Sequence, residues 1–320
     1  MLKKLMIAAP LIATLAGASW AADDYPNRSI RLVHGFGAGG NADTVSRIIA
    51  DEMSRGLGQP VVVESKPGGG GTVGSDYVSK SDPDGYTMQL LVGGHAVAAA
   101  LYNKLPYDTM GDFTYISTIG QFPFFVATRA GKFSSIDDLI AQAKANPGSL
   151  KIGHSGVGST QHLTGELLDL KTGAKFIHVP YKGGAAASTA LLGGEVDVLI
   201  DTGTTIRGQA EAGEFDVLAV TSAVRWPDSP DVPTLDETVA PGMDIVSWTG
   251  IGMPAGVPDD IVAAVSAEMQ RIMALPAVIE RVAALGAKPG ASTNDELRMM
   301  VETQIGVWTE VVATAGVPKR

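Results

Sequence analysis

Apolar and polar positions divide the chain into short runs rich in β-branched and aromatic residues and longer segments with helical spacing. The short runs predict strands at Ile30–Val33, Val61–Glu64, Thr87–Val92, Phe124–Thr128, Leu150–Gly153, Phe176–Val179, Val196–Asp201, Phe215–Thr221 and Gly250–Met253. Between strands, apolar residues recur on one helical face, as they do in residues 42–53. This alternation predicts an α/β fold with mainly parallel strands.

Capping signals mark where several helices begin. Ser135 followed by Asp138, and Thr293 followed by Glu296, have the spacing of a side chain that accepts a hydrogen bond from the helix N-terminus. Pro258 precedes a segment with apolar residues at helical spacing. We therefore expect helices to begin near these three positions.

The N-terminus has the pattern of an export signal. Lys3 and Lys4 precede an apolar run from Leu5 to Leu15, and Ser19-Trp20-Ala21 places small residues at a cleavage site. The run is too short to span a bilayer comfortably. We predict that residues 1–21 are a signal peptide cleaved near Ala21 and that the protein is exported to the periplasm.

Charge and cysteine content narrow the classes of partner. The 320-residue chain has no cysteine and a formal charge of −10; without Lys3 and Lys4, 22 basic residues face 34 acidic ones, which gives −12. This balance argues against nucleic acid or an anionic membrane surface as a partner. It does not exclude a small anionic ligand, because charges beyond roughly 8 Å are screened at physiological salt.

Four polar or glycine-rich loops follow predicted strands, at residues 34–43, 153–162, 180–184 and 201–205. Ligands of α/β proteins gather beyond the carboxyl ends of the strands. Glycines expose backbone N–H groups, and a helix that begins after such a loop adds its dipole. These loops therefore predict an anion site without a required cation.

Two enzyme hypotheses arise from the same loops. The loop Gly35–Gly40 matches G-x-G-x-x-G, and Glu64 lies 24 residues after Gly40, which is the pattern of a nicotinamide-dinucleotide oxidoreductase. The export signal argues against it, since free dinucleotides are scarce outside the cytoplasm. A hydrolase with Ser155 as nucleophile is a weaker hypothesis, because a nucleophile elbow requires glycine where Val157 stands.

No metal or cofactor is expected. The chain has no H-E-x-x-H motif and no calcium-type acidic loop. His154 and His162 are close enough in sequence to share one ion, but loop packing is the favoured interpretation of both.

Ten short segments, in order along the chain, resemble landmarks of one family. They are Tyr25-Pro26, Gly35–Asp43, Leu57–Glu64, Pro83–Thr87, Leu105–Asp108, Ala143–Gly148, Ser155–Leu163, His178–Gly183, Leu218–Ser222 and Asp231–Leu235. On these segments the sequence resembles the extracytoplasmic solute receptors of the tripartite tricarboxylate transporter system, often called Bug-type receptors, over residues 25–316.

The resemblance implies a type II periplasmic-binding-protein fold, with two α/β lobes of mixed sheets joined by crossing strands around a ligand cleft. Lobe 1 would contain residues 22–121 and 248–320, and lobe 2 residues 122–247. The crossings are expected near Gln121–Phe125 and Ile245–Trp248. The protein would then be no enzyme but a monomeric receptor that hands a carboxylate to one large and one small integral membrane subunit.

The resemblance also implies which residues hold the ligand's carboxylate. On the lobe 1 side they are Phe36, Ala38, Gly39, Gly40, Asn41 and Asp43; His95, in a stretch where this sequence departs from the family pattern, is expected at the ligand's far end. On the lobe 2 side they are Ser155, Gly158, Ser159, Thr160, Tyr181, Lys182, Asp201 and Thr202. Asn41 and Asp43 also stand where helix-capping side chains belong, and both Asp43 and Asp201 have the alternative role of capping a helix or orienting water, which for Asp43 is the favoured interpretation. Many family members have prolines where Gly35, Gly37 and Ala38 stand, so the identity of the carboxylate stays open.

Overall fold

A computed structural model of the protein describes residues 25–314 and 316–320, and the predicted signal peptide lies outside them. The strands are β1 (Ile30–His34), β2 (Val61–Ser65), β3 (Thr87–Val92), β4 (Phe113–Pro123), β5 (Phe125–Arg129), β6 (Lys151–His154), β7 (Ile177–Pro180), β8 (Val198–Asp201), β9 (Phe215–Val220), β10 (Val246–Pro254) and β11 (Lys288–Pro289). The helices are α1 (Asn41–Leu57), α2 (Thr72–Ser79), α3 (Gly94–Leu101), α4 (Ile136–Ala145), α5 (Thr160–Thr172), α6 (Gly184–Gly193), α7 (Gly203–Glu211), α8 (Asp259–Met273), α9 (Pro276–Ala283) and α10 (Asn294–Thr314).

The strands form two mixed sheets with the same internal plan. The first sheet has the order β2-β1-β3-β10-β4-β11 and the second β7-β6-β8-β5-β9. In each, three parallel strands are followed by an antiparallel strand that arrives from the other sheet. The chain crosses from β4 to β5 at Phe124 and returns through residues 221–245 into β10. Two α/β lobes, one around each sheet, result from this plan.

The helices predicted from apolar spacing bury the predicted faces. In α1 and α8, Val45, Ile49, Val265, Met269 and Ile272 belong to one hydrophobic core and are fully buried. Burying each such side chain stabilises the fold by roughly 1.5–3 kcal/mol. These contacts pack α1 and α8 together against the first sheet.

Both predicted capping pairs are confirmed. Ser135 Oγ accepts a hydrogen bond from Asp138 N at 3.1 Å at the start of α4. Thr293 Oγ1 accepts from Glu296 N at 3.2 Å, and Glu296 Oε2 accepts from Thr293 N at 2.7 Å. Each cap satisfies donors that the helix itself leaves unpaired.

The strand bounds differ from the predicted ones mainly around the crossings. The predicted strand Gly250–Met253 is the middle of the longer β10, and β4, which pairs with it, was missed. No single helix in residues 25–314 and 316–320 has the length and hydropathy of a membrane span, although α8 and α9, bent by 75°, pass that test as a pair.

Candidate functional site

A cavity lies between the two sheets, at the carboxyl ends of strands from both. Its empty volume is about 460 Å³, part of which is open to solvent. The residues that line it are Phe36, Gly40, Asn41, Ala42, Val92, Gly94, Phe124, Ser155, Thr160, Gln161, Gly184, Asp201, Thr202, Ser247 and Trp248. Both lobes and the two chain crossings therefore contribute to one site.

Five helix N-termini converge on this cavity. Helices α1 and α3 follow β1 and β3 of the first sheet, and α5, α6 and α7 follow β6, β7 and β8 of the second. Their lining residues are Asn41, Gly94, Thr160, Gly184 and Thr202. Each N-terminus has backbone N–H groups without partners in its own helix and the positive end of a helix dipole. Helix N-termini arranged in this way favour an anion over a cation in the cavity.

Three buried polar atoms on the lining have no hydrogen-bond partner among the described residues. They are Ser155 Oγ, Trp248 Nε1 and Asp201 Oδ2. A buried polar atom without a partner costs roughly 1–3 kcal/mol. No lysine or arginine is among the described residues that line the cavity. Hydroxyl, indole and backbone donors are thus the groups available to a bound molecule.

Asp201 is the ionisable side chain on the lining, at the end of β8, and is 1% exposed. Its Oδ1 accepts hydrogen bonds from Thr202 N at 2.7 Å and Gln161 Nε2 at 3.1 Å. Burial raises the pKa of Asp201 to about 6, although these hydrogen bonds act to lower it. Its carboxyl group therefore keeps a proton to a higher pH than an exposed aspartate does.

Direct contacts join the two sides of the cleft. Gly37 N donates to Lys182 O at 2.6 Å, and Thr204 Oγ1 donates to Asn41 Oδ1 at 2.8 Å. One partner in each pair follows a strand of the first sheet and the other a strand of the second. The two sides of the cleft are therefore in direct contact in this structure.

The predicted site residues divide into two groups. Seven line the cavity: Phe36, Gly40, Asn41, Ser155, Thr160, Asp201 and Thr202. Eight do not: Ala38, Gly39, Asp43, His95, Gly158, Ser159, Tyr181 and Lys182. Most residues of the second group are bonded to other parts of the protein, packed against them or exposed to solvent.

Asp43 fastens the loop before α1. Its Oδ2 accepts from Gly39 N at 2.9 Å and its Oδ1 from Arg47 at 2.9 Å. Burial raises the pKa of Asp43, but the hydrogen bonds from Arg47 and Gly39 outweigh that effect and hold it below its usual range. The N-cap of α1 is Gly40, so the predicted capping role of Asn41 and Asp43 is wrong. Asn41 is instead the first helical residue and faces the cavity.

The second loop uses its hydroxyl groups unequally. Ser159 is the N-cap of α5, and its Oγ accepts from His162 N at 3.2 Å. Gly158 lies against the Tyr102 ring. Ser155, four residues earlier, has a free Oγ on the cavity. A cap therefore occupies one serine of this loop and leaves the other available.

Tyr181 and Lys182 lie on the rim of lobe 2. The hydroxyl of Tyr181 is 3.5 Å from Glu195, and Lys182 is exposed and contributes its carbonyl to the contact with Gly37. Ala38 is exposed in the loop of lobe 1. Lys182, which was predicted to hold the ligand, is thus absent from the cavity lining.

His95 is buried beside the cavity rather than on it. Its ring nitrogens lie 3.3 Å from Ser75 Oγ and 3.3 Å from the Tyr115 hydroxyl. It lines a smaller adjoining cavity that shares Phe36, Val92 and Gly94 with the main one. Burial lowers the pKa of His95 to about 4, so its ring is neutral.

The alternative chemistries find little support in the geometry. In the dinucleotide-like loop, Gly37 N and Gly39 N are already bonded to Lys182 and Asp43, and Glu64 faces Lys66 at 3.6 Å. Ser155 Oγ has no histidine within hydrogen-bond distance in the described chain. The rings of His154 and His162 are 4.7 Å apart, but the described residues contain no group of three or more side chains arranged for a metal.

Eight lining residues were not predicted: Ala42, Val92, Gly94, Phe124, Gln161, Gly184, Ser247 and Trp248. Phe124, Ser247 and Trp248 lie at the chain crossings, which the family resemblance places between the lobes. Their position at the crossings could therefore have predicted these three residues as part of the site. Gln161 and Gly184 lie in the first turns of α5 and α6, next to predicted residues.

Two α/β lobes of this sheet order, joined by two crossings around a cavity, define a periplasmic binding protein of type II. Comparison with known proteins then identifies the family. The model for "Tripartite tricarboxylate transporter family receptor" matches residues 45–317. The chain belongs to this family, and the predicted fold class and family are confirmed.

Three solved structures are closely similar. The periplasmic binding protein BugD shares 35% identity with a TM-score of 0.89, covering 92% of this chain and 100% of BugD. An R. palustris protein with adipate shares 34% identity with a TM-score of 0.88, covering 92% and 99%. MatC from Rhodopseudomonas palustris, with bound malate, shares 30% identity with a TM-score of 0.84, covering 90% and 100%.

Proposed function

We propose that the protein is a periplasmic receptor, without enzymatic activity, that captures a small organic carboxylate and delivers it to a tripartite transporter. The convergence of five helix N-termini on a cavity without a lining cation carries this proposal. Adipate and malate in two similar structures support the ligand class. The signal-like N-terminus supports export, and the family supports delivery to a large and a small membrane subunit.

The available contacts supply enough binding energy. A hydrogen bond to a charged group contributes roughly 1.5–3 kcal/mol, and a helix terminus up to about 2 kcal/mol. Three or four such contacts approach the roughly 8 kcal/mol of micromolar affinity. We propose that Ser155, Thr160, Trp248 and the N-termini of α1 and α6 supply them to one carboxylate. Because these donors lie on both lobes, the ligand favours the closed arrangement.

The test is a thermal-shift screen followed by calorimetry. The panel contains adipate, malate, succinate, glutamate, benzoate and citrate, with the corresponding neutral amides and NAD as controls. We expect at least one acid to raise the unfolding temperature and to bind with one-to-one stoichiometry, since a ligand of the native state stabilises it. Binding of NAD, or of an amide as tightly as its acid, would contradict the proposal.

A further inference from the structure

One buried acid on the cavity has half of its hydrogen-bonding capacity unused. Asp201 Oδ1 accepts from Thr202 N at 2.7 Å, from Gln161 Nε2 at 3.1 Å and from Thr202 Oγ1 at 3.5 Å, whereas Oδ2 has no partner in the described chain. Oδ2 lies against Gly184 at the N-terminus of α6, where a Cβ atom would overlap it. The unused oxygen therefore lies among the groups proposed to hold the ligand.

A bound carboxylate next to an ionised Asp201 would place two negative charges in one buried cavity. Two carboxyl groups within hydrogen-bond distance of each other, about 3 Å, do not both stay ionised; they share a proton. We propose that Asp201 takes up a proton when the acid binds and donates a hydrogen bond from Oδ2 to the ligand's carboxylate. This inference rests on the proposed function. It predicts that the receptor takes up one proton with each acid that it binds.

The surroundings of Asp201 leave it ready for this proton. Burial already raises its pKa to about 6 in the absence of ligand. Its partner on the paired strand β5 is Phe125, and helix α6 has no charged residue. The charged or titratable groups on the other elements around it include His154 at the end of β6, His162 and Glu166 on α5, Lys182 before α6, Arg207 and Glu211 on α7, and Asp43 and Arg47 on α1.

None of those groups lines the cavity. His162 lies 3.4 Å from Glu166, and Arg207 pairs with Asp228 at 3.2 Å. Burial lowers the pKa of His154 to about 2, so it stays neutral. No cation on the lining is therefore available to keep Asp201 ionised beside a second carboxylate.

Calorimetry in buffers of different ionisation enthalpy measures the proton directly. The probe is the tightest-binding acid of the panel above. At pH 7.5 we expect the wild type to take up close to one proton per ligand and its Kd to rise about tenfold per pH unit between 7 and 8. Asp201→Asn keeps the acceptor for Thr202 and supplies an amide donor but cannot take up a proton, so its binding should show no proton uptake and a Kd independent of pH between 7 and 8.

Asp137→Asn, on an exposed position of α4 in the same lobe, is the matched control and should behave as the wild type. Binding without proton uptake by the wild type would overturn this inference and leave the proposed function intact. Loss of binding in Asp201→Asn, with no proton taken up by the wild type, would also overturn it, because the ionised form of Asp201 would then be the one that binding requires. Absence of heat with every acid would overturn the proposed function itself.

Discussion

At the scale of single residues, the site depends on which polar groups lack internal partners. Ser155 and Ser159 are equivalent in the sequence, as hydroxyls of one glycine-rich loop. The fold separates them, because Ser159 caps α5 while Ser155 has no partner in the described chain. Asp43, which the family resemblance places on the ligand, is bonded to Gly39 and Arg47. Residue types predict candidates, but hydrogen bonding within the fold selects among them.

Trp248 provides a test of an unpaired donor. Trp248 lines the cavity, and replacing it with phenylalanine keeps an aromatic ring on β10 while removing the buried Nε1–H, which has no partner among the described residues. A lost hydrogen bond to a carboxylate of roughly 1.5–3 kcal/mol corresponds to a Kd about 10- to 100-fold weaker. Calorimetry with the tightest-binding acid of the panel measures this change.

Trp308→Phe is the matched control. That indole is also buried, but its Nε1 lies 3.4 Å from Gln304 within α10, remote from the cavity lining. It should bind the acid as the wild type does. Equal affinity in Trp248→Phe and the wild type would mean that the indole does not contact the ligand.

At the scale of elements, strands were easier to predict than the helices that form the site. The β-branched runs locate β1, β3 and β8 to within two residues at each end. Helices α3, α6 and α7 begin at glycines and lack a regular apolar period, so no pattern marks them. Their position depends on packing between neighbouring strands, which local sequence does not encode. The loops that precede α5 and α6 were nevertheless recognised as candidate anion sites.

A substitution at Gly184 tests whether ligand binding needs the N-terminus of α6 to lie close to Asp201. A methyl group at this position would overlap Asp201 Oδ2 and force the first turn of α6 away from the cavity. We expect Gly184→Ala to weaken binding of the acid at least tenfold. Gly193→Ala, in the same helix, meets no atom within 4 Å and should bind normally. Similar affinities for the two variants would show that α6 does not need this close approach.

At the scale of the whole molecule, two lobes and two crossings create a site that neither lobe has alone. Strand and helix alternation in the sequence predicts α/β architecture but not two separate sheets, because strand order depends on contacts between distant segments. The family resemblance supplied that information, and the comparisons confirm it. The bounds of the lobes, at residues 121–122 and 247–248, stay a prediction.

Closure of the lobes is tested at Thr204, whose hydroxyl donates to Asn41 on the opposite side of the cleft. Thr204→Val removes that bond without changing the volume of the side chain greatly. A net loss of about 0.5–1.5 kcal/mol from the closed state predicts a Kd roughly 2- to 12-fold weaker, mainly through faster dissociation. Stopped-flow measurement of the dissociation rate checks this. Thr189→Val, an exposed control on α6, should leave the rate unchanged.

Buried histidines make the fold sensitive to acid. Burial lowers the pKa of His95 to about 4 and that of His154 to about 2. The unfolded chain binds these protons near pH 6.5, so native stability is complete above that pH and falls as the pH drops below it. Between pH 7 and pH 5 each histidine should cost roughly 2 kcal/mol of unfolding free energy.

Urea unfolding at the two pH values measures this loss. Between pH 7 and pH 5, His154→Gln should lose less unfolding free energy than the wild type, by roughly 2 kcal/mol, which is the contribution of one histidine. A wild-type unfolding free energy that stays constant from pH 7 to pH 5 would contradict the neutral state assigned to both rings.

The measurement that tests the central claim most directly is a crystal structure of the protein with the tightest-binding acid of the panel. The account predicts a carboxylate between the lobes, within hydrogen-bond distance of Ser155, of Trp248 and of backbone N–H groups at the starts of α1 and α6, with no lysine or arginine in contact. A bound acid outside this cavity, or one held there by a basic side chain, would contradict it.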